Sequence, residues 1–273
     1  MDQIEREQIQ NAKLIDESHN FSLDGSQKWL IGGLDISYPV WDDSLACGCL
    51  VVFDMEKRSI VYQDMIDISV SIPYHAGFLS YREMGVYRLL MNKLRHEHPD
   101  LVPQILLVDG QGRLHPRHFG SACCVGLEFG IPTIGVGKNP FCGSEFIREK
   151  KEIGGNADKS TGKDENQKSN KEIQNLKEGE VDVCWDTREF KSHLRPCDTS
   201  VMHYGERIAV SYCKPGNTKP IYISVGHLIS LDQAVSVVKA LCVYRVPEPI
   251  RVADHLSRQH LASLEKELYP KSK

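Results

Sequence analysis

No stretch of the 273-residue sequence stays apolar for anything near the roughly 20 residues that a membrane-spanning helix needs. The opening residues, MDQIEREQIQNAKLIDE, also lack the apolar core of a secretory signal and read as a short, polar amphipathic helix. Together these absences point to a cytoplasmic or nuclear protein. Cysteine is not scarce, but closely spaced pairs of it are. The nine cysteines stand at 47, 49, 123, 124, 142, 184, 197, 213 and 242, with no CxxC among them. The odd count and the apolar settings of several predict reduced, packed thiols and disfavour a zinc site of the usual local spacing. A basic excess is missing as well. With 33 Lys and Arg against 37 Asp and Glu the formal net charge is −4, so any nucleic-acid contact has to come from a local patch. No internal repeat is visible. The length suits one large domain or two small ones and can bury a core without disulfides.

The pattern that is present reads as mixed α/β. A first strand runs through Trp29, Leu30 and Ile31 and ends near Asp35 and Ile36. Leu45 to Asp54 and Ile60 to Val70 are β-rich, and the polar turn Glu56–Ser59 between them makes a hairpin. After a loop at Pro73–Gly77, Val86, Leu89, Leu90 and Leu94 keep helical spacing over residues 80 to 96, with Pro99 just beyond. The continuous apolar run Ile105–Val108 reads as a central strand, Phe119–Phe129 as a helix, and Pro132–Val136 as another buried strand. Alternating strands and helices imply parallel neighbours, with the early hairpin added as antiparallel edge strands. Residues 150 to 180 carry only Ile153, Ile173 and Leu176 as large aliphatics, which predicts a disordered surface insertion in a single domain of residues 1–273. Strands return at Arg207–Tyr212 and Pro220–Val225 around the turn Lys214–Asn217. Ser230 with Gln233 reads as a capping box opening a helix, and a last helix runs to about Leu268.

Carboxylates stand where strands end. Asp35 closes the first strand and Asp109 the central one; on neighbouring strands the two would lie side by side and repel unless a cation sat between them. Glu83, at the start of the long helix, is positioned to add an oxygen ligand, and His227 after the strand at 220–225 a base or ligand. Plainer readings stand beside these. Asp35 suits a turn, Glu83 a helix N-terminus and Asp109-Gly110 an ordinary turn pair, and His227 reads equally as a hydrogen-bonded loop histidine. Gly110-x-Gly112 after a strand suggests a dinucleotide loop, but that fingerprint needs glycine where His115 stands, and no Lys-Ser/Thr pair follows to make a P-loop. Gly110 and Gly112 would let a base or phosphate approach the backbone, and His115, Arg117 and His118 would donate to phosphate oxygens. Tyr74 suits stacking on a base, or packing on the surface.

The segments GLDISY, PYHAGFLSYRE, LLVDGQGRLHPRHFG, IGVGKN and ISVGH, in this order, resemble endonuclease V over residues 28 to 139 and again over 205 to 258. DGQGRLHPRH and the Pro-Glu-Pro at 247–249 are similar to the eukaryotic branch. The resemblance implies an RNase H-like fold and hydrolysis of the second phosphodiester 3′ of inosine or deoxyinosine, leaving a 3′-hydroxyl and a 5′-phosphate. It implies Mg2+, or Mn2+ in its place, and a strand of inosine-containing single-stranded RNA or DNA as partner. Carried over by motif, Asp35, Glu83, Asp109 and His227 would hold the metal, and Lys138 would meet the phosphate. The wedge falls on Pro73, Tyr74, His75 and Ala76, and the pocket for a flipped base on Gly77, Leu79, Gly110, Gly112, His115 and Gly120. The chain departs from the bacterial pattern at His75 and Ala76, and Leu228 follows His227 where a basic residue is common. A non-catalytic binder of inosine-bearing strands and a general nuclease for RNA–DNA hybrids are the other two readings. The full acid set argues against the first, and the Tyr74 loop with the glycine pocket against the second.

Overall fold

The computed structural model describes residues 2–21, 28–73, 75, 77–139, 180–182, 199–203 and 206–269. The expected insertion at 150–180 lies outside these residues except for Glu180, which opens a strand; Tyr74 and Ala76 of the expected wedge also lie outside.

A single mixed sheet organises the described chain. Its strands are β1 (Leu30–Ser37), β2 (Leu45–Asp54), β3 (Ser59–Ser69), β4 (Ile105–Asp109), β5 (Thr133–Gly137), β6 (Glu180–Asp182), β7 (Thr199–His203), β8 (Glu206–Tyr212) and β9 (Ile221–His227). The spatial order is β3-β2-β1-β4-β5-β9-β8-β7-β6. The three at the centre, β1, β4 and β5, run parallel, and β2–β3 and β8–β9 are antiparallel pairs flanking them, as the sequence pattern predicts. Continuity through an antiparallel β5–β9 contact was not legible in the sequence, because strand order between distant segments has no local signature.

The described residues include five α-helices, α1 (Asp2–Ala12), α2 (Leu79–Glu97), α3 (Ser121–Phe129), α4 (Leu231–Leu241) and α5 (Glu248–Leu268), of which α2 to α5 pack on the sheet. Alternation along β1 sorts the core into two layers. Leu30 and Leu34 pack under α2 and α3 with Leu50, Val52, Leu106 and Val108. Ile31 packs on the opposite side with Ile105, Leu107, Ile134 and the apolar faces of α4 and α5. The face of α2 differs slightly from the expected one: Leu89 is half exposed, while Tyr87 and Met91 are buried beside Leu90 and Leu94. At 100° per residue, positions 87, 90, 91 and 94 form one stripe and 89 points away from it.

Local signals stop the elements where expected. Asp54 Oδ1 accepts from the backbone N–H groups of Glu56 and Lys57 at 3.0 Å and ties the β2–β3 turn. The box at Ser230 is half built. Its Oγ accepts from Gln233 N at 3.3 Å, but its own N–H donates to His19 O rather than to Gln233. Among the described residues no helix is long and apolar enough to cross a membrane.

Candidate active site and base pocket

β1 and β4 run parallel with Leu34 opposite Val108, so the next residues, Asp35 and Asp109, emerge side by side. Asp35 does not close its strand: β1 continues to Ser37 along β2, and it is β4 that stops at Asp109. The carboxylates thus meet where one strand ends beside another that continues. Gly33 lets α5 land beside them, since a Cβ there would lie 2.4 Å from the Pro249 backbone. That landing brings in Asp254, and one carboxylate oxygen each from Asp35, Asp109 and Asp254 lie within 4.8 Å of one another. Asp35 is 4% exposed, and its Oδ2 has no hydrogen-bond partner among the described residues.

Lys138, just past β5, donates through Nζ to Asp109 Oδ2 at 2.5 Å and to Asp254 Oδ1 at 3.1 Å. Burial works against its charge, but the carboxylates of Asp109, Asp35 and Asp254 outweigh burial and hold its pKa above the ordinary lysine value. Glu83 approaches from the α2 side and accepts from Ser121 Oγ at 3.3 Å. Burial, with Asp109 nearby, pushes its pKa up to about 8 against the opposing Ser121 bond. Asp35 is driven well above the carboxylate range by burial first and then by Asp109.

Three carboxylates converging with an unpaired buried oxygen, and a fourth close by, are hard oxygen donors of the kind a magnesium-like cation takes. A cation would also remove the repulsion that raises Asp35. The residues therefore fit a divalent metal, with Asp35, Asp109 and Asp254 holding it and Glu83 beside them.

His227 does not join this group. It pairs with Thr133 at the start of β5, whereas Asp109 pairs with Val136 near the end of that strand, which separates the two by roughly 10 Å of strand. Its Nδ1 accepts from Asp16 N at 3.2 Å. The plainer reading, a hydrogen-bonded histidine, describes it, except that it is the last residue of β9 rather than a loop residue. Asp254 was missed. The available signal was an acid within the buried stripe of a helix, beside Ile250, Ala253, Ser257 and Leu261.

A pocket of about 120 Å³ opens next to the acids, lined among others by Gly77, Leu79, Gly110, His115 and Gly120, as expected. Gln8 of α1, Gln111 and Phe119 line it too and had carried no signal. Gly77 has φ +79°, a conformation glycine adopts without strain, which turns its carbonyl toward three donors. Gln8 Nε2 at 3.0 Å, His115 Nε2 at 3.2 Å and Arg117 Nη2 at 2.8 Å all reach that oxygen.

Four expectations for this loop need correction. Gly112 is not in the pocket wall: its N–H donates to Ser224 Oγ, and a Cβ there would lie 2.0 Å from Val225 O, so glycine is required for packing on β9. His115 is no phosphate cation. Its Nδ1 accepts from Arg117 N while its Nε2 faces Gly77 O, and burial next to Arg117 lowers its pKa to about 3. Arg117 is a brace, with its guanidinium 4.3 Å from the Phe78 ring centroid and bonded to Gln8, Glu5 and Gly77 O. His118 likewise faces His203 Nδ1 at 2.9 Å, and burial, Arg113 and His203 lower its pKa to about 4. Of the wedge positions, Pro73 and His75 are exposed at the loop surface.

Acids side by side on adjacent central strands of a mixed sheet, with a lysine among them, fit a nuclease of the RNase H-like class. The Endonuclease V family model matches residues 11–255, and the chain belongs to that family. It is 33% identical to human Endonuclease V over 231 residues, 85% of this chain and 71% of the human protein. To the mouse protein it is 35% identical over 240 residues, 88% of this chain but 61% of the mouse one. The crystal structure of the human protein superposes with a TM-score of 0.70 at 29% identity, covering 95% of this chain and 97% of that one. A Ciona intestinalis Endonuclease V, solved with a DNA containing an inosine followed by a ribo-adenosine, gives 0.71 at 28% identity, covering 96% and 98%. The RNase H-like fold expected from the motifs is the fold of this chain.

Proposed function

We propose that this protein is a metal-dependent endonuclease that captures inosine in a nucleic-acid strand and hydrolyses the second phosphodiester bond 3′ of it, leaving a 3′-hydroxyl and a 5′-phosphate. The observation that carries this reading is the junction at the end of β4. Asp109 belongs to the acid cluster and the adjoining Gly110 to the pocket wall, so base recognition and cleavage chemistry share one peptide link. The inosine-containing complex of the Ciona relative supports the choice of base.

In this reading the pocket takes the extruded hypoxanthine against Gly77, Gly110 and Gly120 while the strand runs on toward Asp35, Asp109 and Asp254. A divalent cation held there, Mg2+ with Mn2+ as substitute, would supply an activated water and neutralise phosphate charge. Lys138, kept protonated by its acid neighbours, offers positive charge where the phosphate turns pentacovalent. The eukaryotic form of the motifs favours single-stranded RNA as the main substrate.

One gel tests the reading: labelled RNA, DNA and RNA–DNA hybrid, each with and without one inosine, incubated with and without Mg2+. Cleavage at one fixed offset 3′ of inosine, requiring the cation, is the expected result. Retention without cleavage would make the protein a binder, and hybrid cutting that ignores inosine a general nuclease. Asp35→Ala should abolish cleavage while leaving part of the binding; wild-type cleavage by that variant would remove the metal from the mechanism.

A further inference from the structure

A second set of donors converges under α5, about two turns beyond Asp254. Cys47 on β2 and Asp67 on β3 are register partners in the hairpin. His260 descends onto them from α5. One atom of each, the Cys47 sulfur, an Asp67 carboxylate oxygen and a His260 ring nitrogen, lie within 4.8 Å of one another. His260 Nε2 and Asp67 Oδ2 are 2.7 Å apart. Cys47 is fully buried, whereas the side chains of His260 and Asp67 are 37% and 36% exposed, so the set is closed below and open to solvent above.

This arrangement is wrong for nucleophilic catalysis. A reactive cysteine needs a cation beside its sulfur or a base hydrogen-bonded to it, and His260 Nε2 is engaged by Asp67 at 2.7 Å. Here burial and the neighbouring Asp67 carboxylate instead push the Cys47 thiol upward. The same three side chains offer sulfur, nitrogen and oxygen, each a donor type that zinc takes, and the open side leaves room for a fourth ligand from water. Zinc would also balance the charge: binding releases the thiol proton to solvent, and one thiolate and one carboxylate then neutralise the ion beside a neutral imidazole. The two clusters differ in softness, all-oxygen at Asp35, Asp109 and Asp254 and sulfur-containing at Cys47, which sorts a magnesium-like ion to the first and a zinc-like ion to the second.

We propose that Cys47, Asp67 and His260 form a zinc site that clamps α5 to the β2–β3 hairpin and thereby positions Asp254 in the acid cluster. Asp254, Ser257 and His260 follow one another along α5, spanning roughly 9 Å of helix rise. Ser257 Oγ meets Ser37 Oγ of β1 at 2.7 Å between the two ends. The helix is thus held at its acid end and its middle by contacts already in place, and the metal would pin the third point. Zinc binding stands independently of the nuclease reading; the positioning of Asp254 rests on it.

The test uses the full-length protein freed of metal by a chelator and titrated with Co2+ as a spectroscopic stand-in for zinc. The expected result is one thiolate-to-cobalt band in the near ultraviolet, displaced by one equivalent of Zn2+. His260→Gln, at a half-exposed position that preserves the core, should weaken binding at least about tenfold, and Cys47→Ser should remove the band. Cys49→Ala, which deletes the thiol on the residue paired with Asp35, and Asp109→Asn should both keep it. No band in the wild type, or a band that survives Cys47→Ser or vanishes in Cys49→Ala, overturns the site. Should Cys47→Ser fail to fold by circular dichroism, the His260→Gln titration and its loss of a Zn2+-induced rise in Tm decide the question. For the positioning role, one equivalent of Zn2+ should raise Mg2+-dependent inosine-strand cleavage in the wild type and leave His260→Gln unchanged; equal rates with and without zinc overturn it. A cobalt band with no inosine-directed cleavage under any condition would retain the zinc site and overturn the nuclease reading and the positioning role with it.

Discussion

Glu83 is the side chain at which burial and function conflict most openly. In the unfolded chain it ionises near the ordinary glutamate value, and in the folded protein it keeps its proton to about pH 8. The folded state therefore binds the extra proton between those limits, and stability of the metal-free protein falls as pH rises through that window. Chemical denaturation from pH 5 to 8 should show this decline, and Glu83→Gln should flatten it. Added Mg2+ should stabilise increasingly toward pH 8, because the cation takes the place of the protons that Glu83 and Asp35 retain. The same scale separates Asp254 from His227. Asp254→Asn removes a direct donor and should lower single-turnover cleavage at least about 100-fold, beyond the usual cost of outer-shell partners. His227→Ala, on β9 beside the far end of β5, should lower it far less. Equal losses would mean that the separation along β5 does not isolate His227 from the chemistry.

Among the elements, α5 decides the acid cluster and α1 the pocket. The start of α5 rests on Gly33, where any side chain would strike the Pro249 backbone. Gly33→Ala should cost about 1–3 kcal/mol in thermal unfolding. It should also weaken Mg2+ binding by calorimetry, because the displaced helix carries Asp254 with it. On α1, buried Gln8 donates to Gly77 O and accepts from Arg117, closing one wall of the pocket. The Gly77 carbonyl keeps two other donors in Gln8→Ala, so the stability cost should stay near about 1 kcal/mol. Affinity for an inosine-containing strand, read by fluorescence anisotropy, should fall several-fold with little change for a strand lacking inosine. Neither helix announced its role. The pattern of α1 is merely amphipathic, and Asp254 looks like one of many helix acids until the landing site of α5 is known.

For the whole molecule, a net charge of −4 and a cluster of four acids have to meet a polyanion. The cations of the QGRLHPRH loop do not help. Arg113 is paired with Glu17 and Glu206, Arg117 braces the pocket, and His115 and His118 are held neutral. Strand binding should therefore depend on the divalent ion itself. Anisotropy with an inosine-containing RNA should show tighter binding in Ca2+ than in EDTA, and the difference should shrink in Asp109→Asn. The order of the strands and helices apart from β6 and β7, the β2–β3 and β8–β9 hairpins, the acids Asp35 and Asp109 and most of the glycine pocket were determined by the sequence alone. Their signals, apolar periodicity, turn residues and short motifs, are local. Tertiary structure decided which acids converge, that His227 stays apart, that the loop arginines are paired with acids of distant segments, and that Cys47, Asp67 and His260 converge. Each of these depends on strand register or on where a distant helix comes to rest, and no stretch of neighbouring residues encodes it.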